Sequence, residues 1–310
     1  MEDWIAAFLL QGGDRSGHDL TEDGRLDLRG IEFPTVAEAK AGAFRVDQLT
    51  SLAAQGIYVR DQTWSGLDLS GARLEALFFI NCRFLGCVFD DANMANTGFS
   101  SSRIEQCSFV GTNLRSAGIG NAGTILRDVD FSRASLIDAR FTDGDFERCD
   151  FTGATLTRVR CINTRFHHCN LSAKLTDIQF YAQKLLTPDP ADNLFAHCDL
   201  SGADHRRVVW RRVDLSTCQL PEAESSLCFV YDAAAIERAE QDLRQHHGQV
   251  GAGAAAYISG YRKWAPEHPA ILLMNASDPA PDSDLIIDAL TKHCGRIDRQ
   301  SPVGWWGFRV

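Results

Sequence analysis

Two pairs of neighbouring residues near the C-terminus have side chains suited to acid–base or nucleophilic chemistry. His246 and His247 are adjacent, and His293 directly precedes Cys294. A thiol becomes a nucleophile when a base lies within hydrogen-bond distance, but adjacent residues on a helix do not face each other. The four residues therefore define only an alternative interpretation, in which an enzyme or a biosynthetic accessory factor binds a small molecule beside them.

A third group, in the segment FHHCNL, resembles a set of metal ligands. It consists of His167, His168 and Cys169, but the chain has no CxxC pair and no HExxH motif to support a metal site. It also has no glycine-rich phosphate loop and no GxSxG turn. The sequence thus predicts no cofactor, no metal and no catalytic residue, and it favours a protein that is not an enzyme.

A five-residue period in large apolar residues determines where these groups must lie. From Val59 to Ile119 every fifth residue is large and apolar, thirteen in succession. At an apolar content of 45%, chance gives such a run with a probability of about 3 in 100,000. Two further blocks, Phe131 to Leu171 and Leu200 to Leu220, keep the period, and only His205 departs from it.

A second set of inward residues, mostly small, lies two positions before these repeat centres. Its members include Ala72, Cys82, Cys87, Ala92, Thr97, Ser102, Cys107, Thr112, Ala117, Ala134, Ala139, Gly144, Cys149, Ala154, Thr164, Cys169, Cys198, Ala203 and Cys218. A period of five matches neither the 3.6 residues of a helix nor the 2.0 of a strand, so the chain must turn a corner once per repeat.

Segments such as DLSGARL, DFTGATL and DLSGADH resemble the consensus of the pentapeptide-repeat family, and the likeness covers about half of the chain. The resemblance implies a mainly β fold, a right-handed quadrilateral β-helix with four repeats per coil. Centres and small residues would fill its interior. Each coil then buries its apolar residues only by stacking on its neighbours, so both ends require a cap or a partner.

The flanking sequences suggest such caps. Residues 1–56 are expected to form a helical N-terminal cap, in which Trp4 to Leu10 is an apolar turn and LDLRGIEF is strand-like. Thr35 and Glu38 have the spacing of a capping box before a helix-like stretch that ends at Gly56. Residues 57–220 form the β-helix.

Residues 221–310 are predicted to form a small α+β domain. Asp232 is expected to cap a helix that Gly248 closes, and a second helix, which contains Ala254 to Trp264, is expected to stop before Pro266. The remaining predicted elements are a strand at Ala270 to Met274, a helix at Leu285 to His293 closed by Gly295, and a last strand at Trp305 to Val310.

The period fails at residues 172–194, which are interpreted as a loop that projects from the β-helix. A loop on a rigid scaffold is well placed to contact a partner. Tyr181, Lys184, Leu185 and Leu186 are the candidate partner-binding residues. A shorter break at Gly120 to Asp130 lies on another coil.

Charge is unevenly distributed along the chain. The formal net charge is −10, but residues 57–220 contain 18 Lys and Arg against 19 Asp and Glu, a net charge of −1. The composition therefore does not require an acidic rod that imitates DNA, and no basic stripe suggests direct nucleic-acid binding. Two pairs of outward arginines, Arg83 with Arg103 and Arg140 with Arg160, are twenty residues apart and should lie on successive coils.

The ten cysteines are interpreted as packing residues. Seven occupy the small inward position and Cys161 occupies a centre. Three pairs spaced by twenty residues should stack on successive coils: Cys87 with Cys107, Cys149 with Cys169, and Cys198 with Cys218. The first residues do not have the basic segment of a signal peptide, so a cytoplasmic location with free thiols is expected, without membrane association.

Together these features predict a non-catalytic interaction protein that docks a macromolecular partner through the β-helix and its loop. The family resemblance implies a type II topoisomerase, DNA gyrase or topoisomerase IV, which the protein would protect from a toxin or a quinolone. A homodimer through a rod end or the C-terminal helices is compatible with the pattern.

Overall fold

The computed structural model describes residues 19–33, 35, 37, 50–53, 56–182, 194–211, 213, 215, 217–221, 226–262, 270–275 and 282–296. Over these residues the protein is mainly β, a parallel β-solenoid of about six turns accompanied by three helices.

The repeat residues form short strands. In chain order the strands are β1 (Leu26–Asp27), β2 (Thr50–Ala53), β3 (Gly56–Arg60), β4 (Thr63–Ser65), β5 (Leu67–Asp68), β6 (Leu77–Ile80), β7 (Arg83–Leu85), β8 (Gly98–Ser100), β9 (Arg103–Glu105), β10 (Gly118–Asn121), β11 (Ile125–Arg127), β12 (Arg140–Thr142), β13 (Asp145–Glu147), β14 (Thr155–Thr157), β15 (Arg160–Ile162), β16 (Arg165–His167), β17 (Lys174–Tyr181), β18 (Phe195–Ala196), β19 (Asp204–Arg211), β20 (Ser226–Tyr231), β21 (Ala270–Asn275) and β22 (Gly295–Arg296). The helices are α1 (Ala233–His246), α2 (Gly248–Arg262) and α3 (Ser283–His293).

Successive coils pair in parallel along four columns. The first column contains β3, β6, β8, β10, β12, β15, β17 and β19, and the second contains β4, β7, β9, β11, β13, β16 and β18. The third begins with the pair β1–β5 and continues through single bridges from Asp68 to Gln219. The fourth runs through bridges from Glu32 to Thr155 and into β17.

The repeat centres form one continuous core. Every centre named from the sequence is buried except Leu220, which is partly buried at the end of the rod. Phenylalanines of neighbouring coils lie face to face: the ring centroids of Phe109 and Phe131 are 5.2 Å apart, and those of Phe131 and Phe151 are 5.0 Å apart. His205, the exception to the apolar pattern, is also buried, with Nδ1 3.2 Å from the carbonyl oxygen of Ala203.

The corners explain the period of five. The residue two positions after most centres has a positive φ, as at Asp61 (56°), Ala76 (56°) and Asn96 (60°). This left-handed conformation turns the backbone sharply and costs a residue with a Cβ atom about 1–2 kcal/mol. Three strand-like residues and one corner residue, with the small residue between, make up each repeat.

Polar residues at the small inward position tie one coil to the previous one. Thr97 Oγ1 donates to the carbonyl oxygen of Leu74 at 3.0 Å, and Thr112 Oγ1 donates to that of Phe89 at 2.6 Å. The Cys149 thiol lies 3.7 Å from the carbonyl oxygen of Leu126 in the same geometry. Serine, threonine and cysteine are therefore accepted inside the rod because their donors have a partner.

The predicted loop at residues 172–194 was too long. Residues up to Ala182 belong to the rod: β17 pairs with β14, β15 and β19, and Leu175 and Phe180 are buried in the core. Leu175 follows Leu171 by four residues and not by five. This shorter spacing shifts the period, so the centres Leu175 and Phe180 could not be recognised from the sequence. Residues 183–193 lie outside the described part of the chain.

The N-terminal region extends the rod. Leu26 and Asp27 pair in parallel with Leu67 and Asp68, so the strand-like LDLRGIEF segment lies on the first coil. The prediction of a helix-like stretch that ends at Gly56 was wrong near its C-terminal end, because strand β2 there pairs antiparallel with β3. The predictions at Trp4 to Leu10 and at Glu38 fall outside the described residues.

The C-terminal residues continue the first column. Strand β21 pairs antiparallel with both β19 and β20, and β22 pairs with β20. Asp232 caps α1, accepting a hydrogen bond from the Ala235 amide at 2.7 Å, and Gly248 (φ 57°) ends α1 as predicted. Helix α2 begins at this glycine and includes residues 254–262 of the predicted helix, whereas residues 263 and 264 lie outside the described part of the chain. The strand expected at residues 305–310 lies outside the described residues.

A second core joins these elements. It contains Phe229, Ile236, Ile258, Leu272 and Leu290, and it includes one residue of the last coil, Val209. The helices therefore pack on the outer surface of the extended sheet.

Candidate interaction surface

The position in the repeat decides which side chains reach the surface. The centre and the small residue point inward, the two residues that flank the centre point outward, and the corner residue lies at the edge between columns, as the alternating burial shows. Each column thus presents two files of outward side chains, spaced by the ~4.8 Å between paired strands.

The third column carries carboxylates along its outer surface. Four aspartates each directly precede a centre of this column: Asp68, Asp130, Asp150 and Asp199. The bridges that link successive coils place them in one file, which uncharged residues interrupt. We refer to these four aspartates as the acidic column. Among the described residues, none of their carboxylates forms an ion pair, and all four are partly exposed.

A local hydrogen bond fixes each of these aspartates. Oδ1 of Asp130 accepts from the backbone amide of Ser132 at 2.8 Å, and Oδ1 of Asp150 accepts from that of Thr152 at 2.9 Å. The same bond, from the amide two residues later, occurs at Asp68 and Asp199. An asparagine could accept it equally well, so the turn itself does not require the charge.

The first column has the opposite character. No aspartate or glutamate flanks any of its centres from Val59 to Trp210, whereas Arg60, Arg140, Arg160 and Arg211 do. Arg140 and Arg160 are exposed register partners, and neither pairs with a carboxylate among the described residues.

The other predicted arginine file is partly neutralised by one glutamate. Arg83 and Arg103 are register partners in the second column, as expected. Both reach Glu105, at 3.1 Å and 3.2 Å. A rod of nearly zero net charge thus separates its charge by column, with an uncompensated acidic third column and a basic first column.

The predicted partner-binding residues are only partly described. Tyr181 is the last residue of β17, half-buried, and its ring lies 4.5 Å from the guanidinium carbon of Arg211. It is therefore a residue of the first column and not of a projecting loop. Lys184, Leu185 and Leu186 lie outside the described residues.

The alternative site in the C-terminal region converges on a carboxylate that sequence reasoning missed. His293 Nε2 lies 3.1 Å from Asp242 Oδ2, Lys292 Nζ lies 2.9 Å from the same atom, and His246 Nδ1 lies 2.9 Å from Oδ1. Hydrogen bonds from Lys292 and then His293 lower the pKa of Asp242 to about 2. The spacing of Asp242 and His246, four residues on one helix, was the available signal.

Cys294 and His247 do not join this cluster. Cys294 is buried, and burial raises the pKa of its thiol to about 12. His247 is the exposed C-cap of α1, donating its backbone N–H to the carbonyl of Leu243. The junction between rod and helices is filled by Val209, Phe229 and Leu272. The geometry gives the four predicted residues no shared nucleophile and base.

The cysteines stack as predicted. Hydrogen bonds between thiols join Cys107 to Cys87, Cys169 to Cys149, and Cys198 to Cys218. A hydrogen bond with Cys169, and then burial, raise the pKa of Cys198 to about 12. Cys169 and Cys198 also stack, which the irregular spacing had hidden. The nine cysteines described as free carry no disulfide.

One histidine pair became visible only in the structure. His168 and His197 are exposed corner residues of successive coils, with ring centroids 5.0 Å apart and an interplanar angle of 18°. Their separation of 29 residues conceals the register. Within the described ranges, no group of three or more His, Cys, Asp and Glu is arranged to hold a metal ion. None of the described helices combines the length and apolar character needed to cross a bilayer.

These features define a parallel β-solenoid with pentapeptide periodicity. The family model "Pentapeptide repeats" matches eight copies over residues 68–106, 122–153 and 134–172. Over these residues the repeat segment of this chain matches the pentapeptide-repeat family.

The chain is also similar, at low sequence identity, to several solved structures. One is HetL, a pentapeptide repeat protein involved in heterocyst differentiation regulation from the cyanobacterium Nostoc sp. strain PCC 7120, with a TM-score of 0.32, 18% identity, and coverage of 64% of this chain and 86% of HetL. Another is trypsin-treated QnrB1, a plasmid-mediated fluoroquinolone resistance protein, with a TM-score of 0.21, 18% identity, and coverage of 53% and 79%. No curated protein matches this chain.

Proposed function

We propose that this chain is a non-catalytic interaction protein whose acidic column docks on the cationic surface of a DNA-binding protein. The partner proposed from the family resemblance is a type II topoisomerase, DNA gyrase or topoisomerase IV, which the protein protects from a quinolone or a toxin. The observation that carries the proposal is the file of four unpaired aspartates on one column of an otherwise nearly neutral rod.

The argument is electrostatic. A DNA-binding surface is built to neutralise a regular line of phosphate charges. Carboxylates held at multiples of the coil spacing by hydrogen bonds, and not neutralised within the rod, present a related line of negative charge. Because the carboxylates are fixed before binding, docking costs little side-chain entropy. Complementary charge of this kind also raises the association rate.

The finer architecture belongs to the same proposal. Four pairing columns support a right-handed quadrilateral β-helix at residues 57–220, between a cap at 1–56 and an α+β domain at 221–310. The free cysteines fit a reducing cytoplasm. Residues 183–193, which follow strand β17 in the sequence, would supply a second contact.

A supercoiling assay with DNA gyrase and a quinolone tests the proposal. We expect the intact protein to restore supercoiling in the presence of the drug. The triple variant Asp68→Asn, Asp130→Asn and Asp150→Asn should lose most of this protection, because it removes three charges and keeps every turn acceptor. Protection that is absent with the intact protein, or unchanged in the triple variant, would contradict the proposal.

A matched control removes the same charge elsewhere. The variant Asp61→Asn, Asp143→Asn and Asp145→Asn neutralises three aspartates outside the third column and should protect like the intact protein. Deletion of residues 183–193 tests the second contact without removing any described strand. A deletion that starts at residue 173 would remove β17 and could only report on folding.

A further inference from the structure

We infer that His168 and His197 form a two-histidine binding site for a divalent transition-metal ion such as Cu²⁺, Ni²⁺ or Zn²⁺. Their stacked rings belong to the corner file between the second and third columns, and both side chains are exposed. Neutral imidazole is a favoured ligand of these ions.

The backbone holds the two histidines in register. His168 donates its amide N–H to the carbonyl oxygen of Ala196 at 2.9 Å, and the amide of His197 donates to Thr217 Oγ1 at 3.1 Å. Both residues have a positive φ, 55° and 54°, so their Cα–Cβ bonds leave the rod in the same manner. A metal ion would find two ligands whose spacing is set by the coil repeat.

The distance suits chelation after a small movement. Two metal–nitrogen bonds of about 2.0–2.1 Å allow the nitrogens to lie at most about 4.1 Å apart. The ring centroids are 5.0 Å apart. Because a metal ion lies in the plane of the imidazole that binds it, the two rings must turn, and rotation about the side-chain bonds of two exposed residues can direct one nitrogen of each toward a shared ion without moving the backbone. Water would complete the coordination.

The neighbouring groups permit a cation here. The residue below His168 in this file is Arg148, whose guanidinium binds Asp128 Oδ1 at 2.7 Å and Oδ2 at 2.9 Å. Its charge is therefore largely compensated by that carboxylate. The thiols of Cys169 and Cys198, one residue further along each coil, point into the rod and do not compete as ligands.

Such an ion would join the coils on either side of residues 183–193. His168 precedes this segment and His197 follows it. The ion would therefore act as a clamp across the one long interruption of the rod, and it would stabilise the folded chain because a paired site exists only when the coils are stacked.

A Cu²⁺ or Ni²⁺ titration of the full chain, followed by calorimetry and by thermal unfolding, tests the site. We expect one site per chain and a rise in the unfolding temperature with metal concentration. His168→Ala and His197→Ala should each weaken the affinity at least tenfold, and the double variant should bind at least as weakly as either single variant.

The chain has nine histidines, so the controls identify the pair. His167→Ala, adjacent in sequence but outside the stacked pair, and the double variant His246→Ala with His247→Ala should bind like the intact protein. Paramagnetic broadening by Cu²⁺ should affect the ring resonances of His168 and His197 first. Equal affinity in the His168→Ala and intact chains, or loss of binding in either control, would overturn the assignment.

Discussion

The rod and the C-terminal helices are stabilised by different kinds of order. In the rod, one buried centre in every five residues and one corner residue suffice, and each coil contacts only the next. In the C-terminal region, α1, α2 and α3 bury a core of dispersed residues against an extended sheet. The rod is therefore a local structure repeated many times, whereas the second core depends on contacts distant in sequence.

The two regions have separate cores but are joined by the pairing of β21 with β19 and by two side-chain contacts. Val209 projects outward from the last coil into the second core. Arg207, at a corner of the same coil, binds Asp177 in a bidentate manner, with Nη2 2.6 Å from Oδ2, and donates from Nη1 to Tyr257 of α2 at 3.1 Å. The helices therefore act as a cap that covers the last coil through its outer surface.

Loss of a stacked phenylalanine should produce the largest effect. Phe131→Ala removes a ring that lies between Phe109 and Phe151 and should destabilise the rod by about 3–5 kcal/mol. The matched change in the other core, Ile258→Ala, should cost about 2–5 kcal/mol. Hydrogen exchange distinguishes the regions: the first variant should raise exchange in coils on both sides of residue 131, and the second only in α1, α2 and α3.

Equal acceleration of exchange throughout the chain in both variants would show that the two cores unfold as one. The rod and the C-terminal helices would then not be separate units of stability, because the contacts at Val209 and Arg207 would couple their unfolding completely.

The same contrast explains what could be predicted from sequence. The centres and small positions were correct because a fixed period needs no knowledge of distant contacts. Leu175 and Phe180 were missed because one deleted residue shifted the phase, and the pair His168 and His197 was missed because an insertion lies between them. The acidic column was hidden because net charge is a sum over all columns.

The C-terminal region was harder to predict. The cap at Asp232 and the break at Gly248 are local signals and were correct. The pairing of β21 with a rod strand has no local signal, since it depends on where the chain returns after two helices. The convergence of His246 and His293 on Asp242 follows from the packing of α1 on α3 and could not be deduced from either helix alone.

A corner substitution should strengthen the rod. Ala76 has a φ of 56°, and Ala76→Gly should stabilise the rod by about 1 kcal/mol because glycine adopts this conformation without strain. Ala95, which has no positive φ, is the matched control: Ala95→Gly should be destabilising or neutral. Urea unfolding of both variants checks the sign, and a loss of stability with Ala76→Gly would contradict the explanation of the corners.

The hydrogen bond between Arg207 and Tyr257, which joins the two regions, should contribute less to stability than the changes above. Tyr257→Phe removes the hydroxyl that accepts from Arg207 and should cost about 1 kcal/mol or less, since the Arg207–Asp177 pair remains. Exchange of α2 amides should increase while the rod is unchanged. A matched change at Tyr58, whose ring contacts Arg60 away from the helices, should leave α2 exchange as it is.

The smallest expected effect is a pH dependence confined to the C-terminal helices. The pKa of Asp242 is lowered to about 2 from an ordinary value of 3.8, chiefly by the hydrogen bond from Lys292 and then by that from His293. A carboxyl whose pKa is lower in the folded state stabilises the fold above its unfolded pKa, and this contribution is lost as the pH falls through its folded pKa.

The stabilisation by Asp242 should therefore be complete above about pH 4 and should disappear toward pH 2. Asp242→Asn removes it at all pH values, so the difference in unfolding temperature between the intact chain and this variant should shrink across that window. Asp288→Asn, an exposed change on α3, should show no such trend. Because the ion pairs join α1 to α3 and do not touch the rod, exchange in the coils should be the same in both variants, and a pH-dependent change there would show that the helices and the rod are not energetically separate.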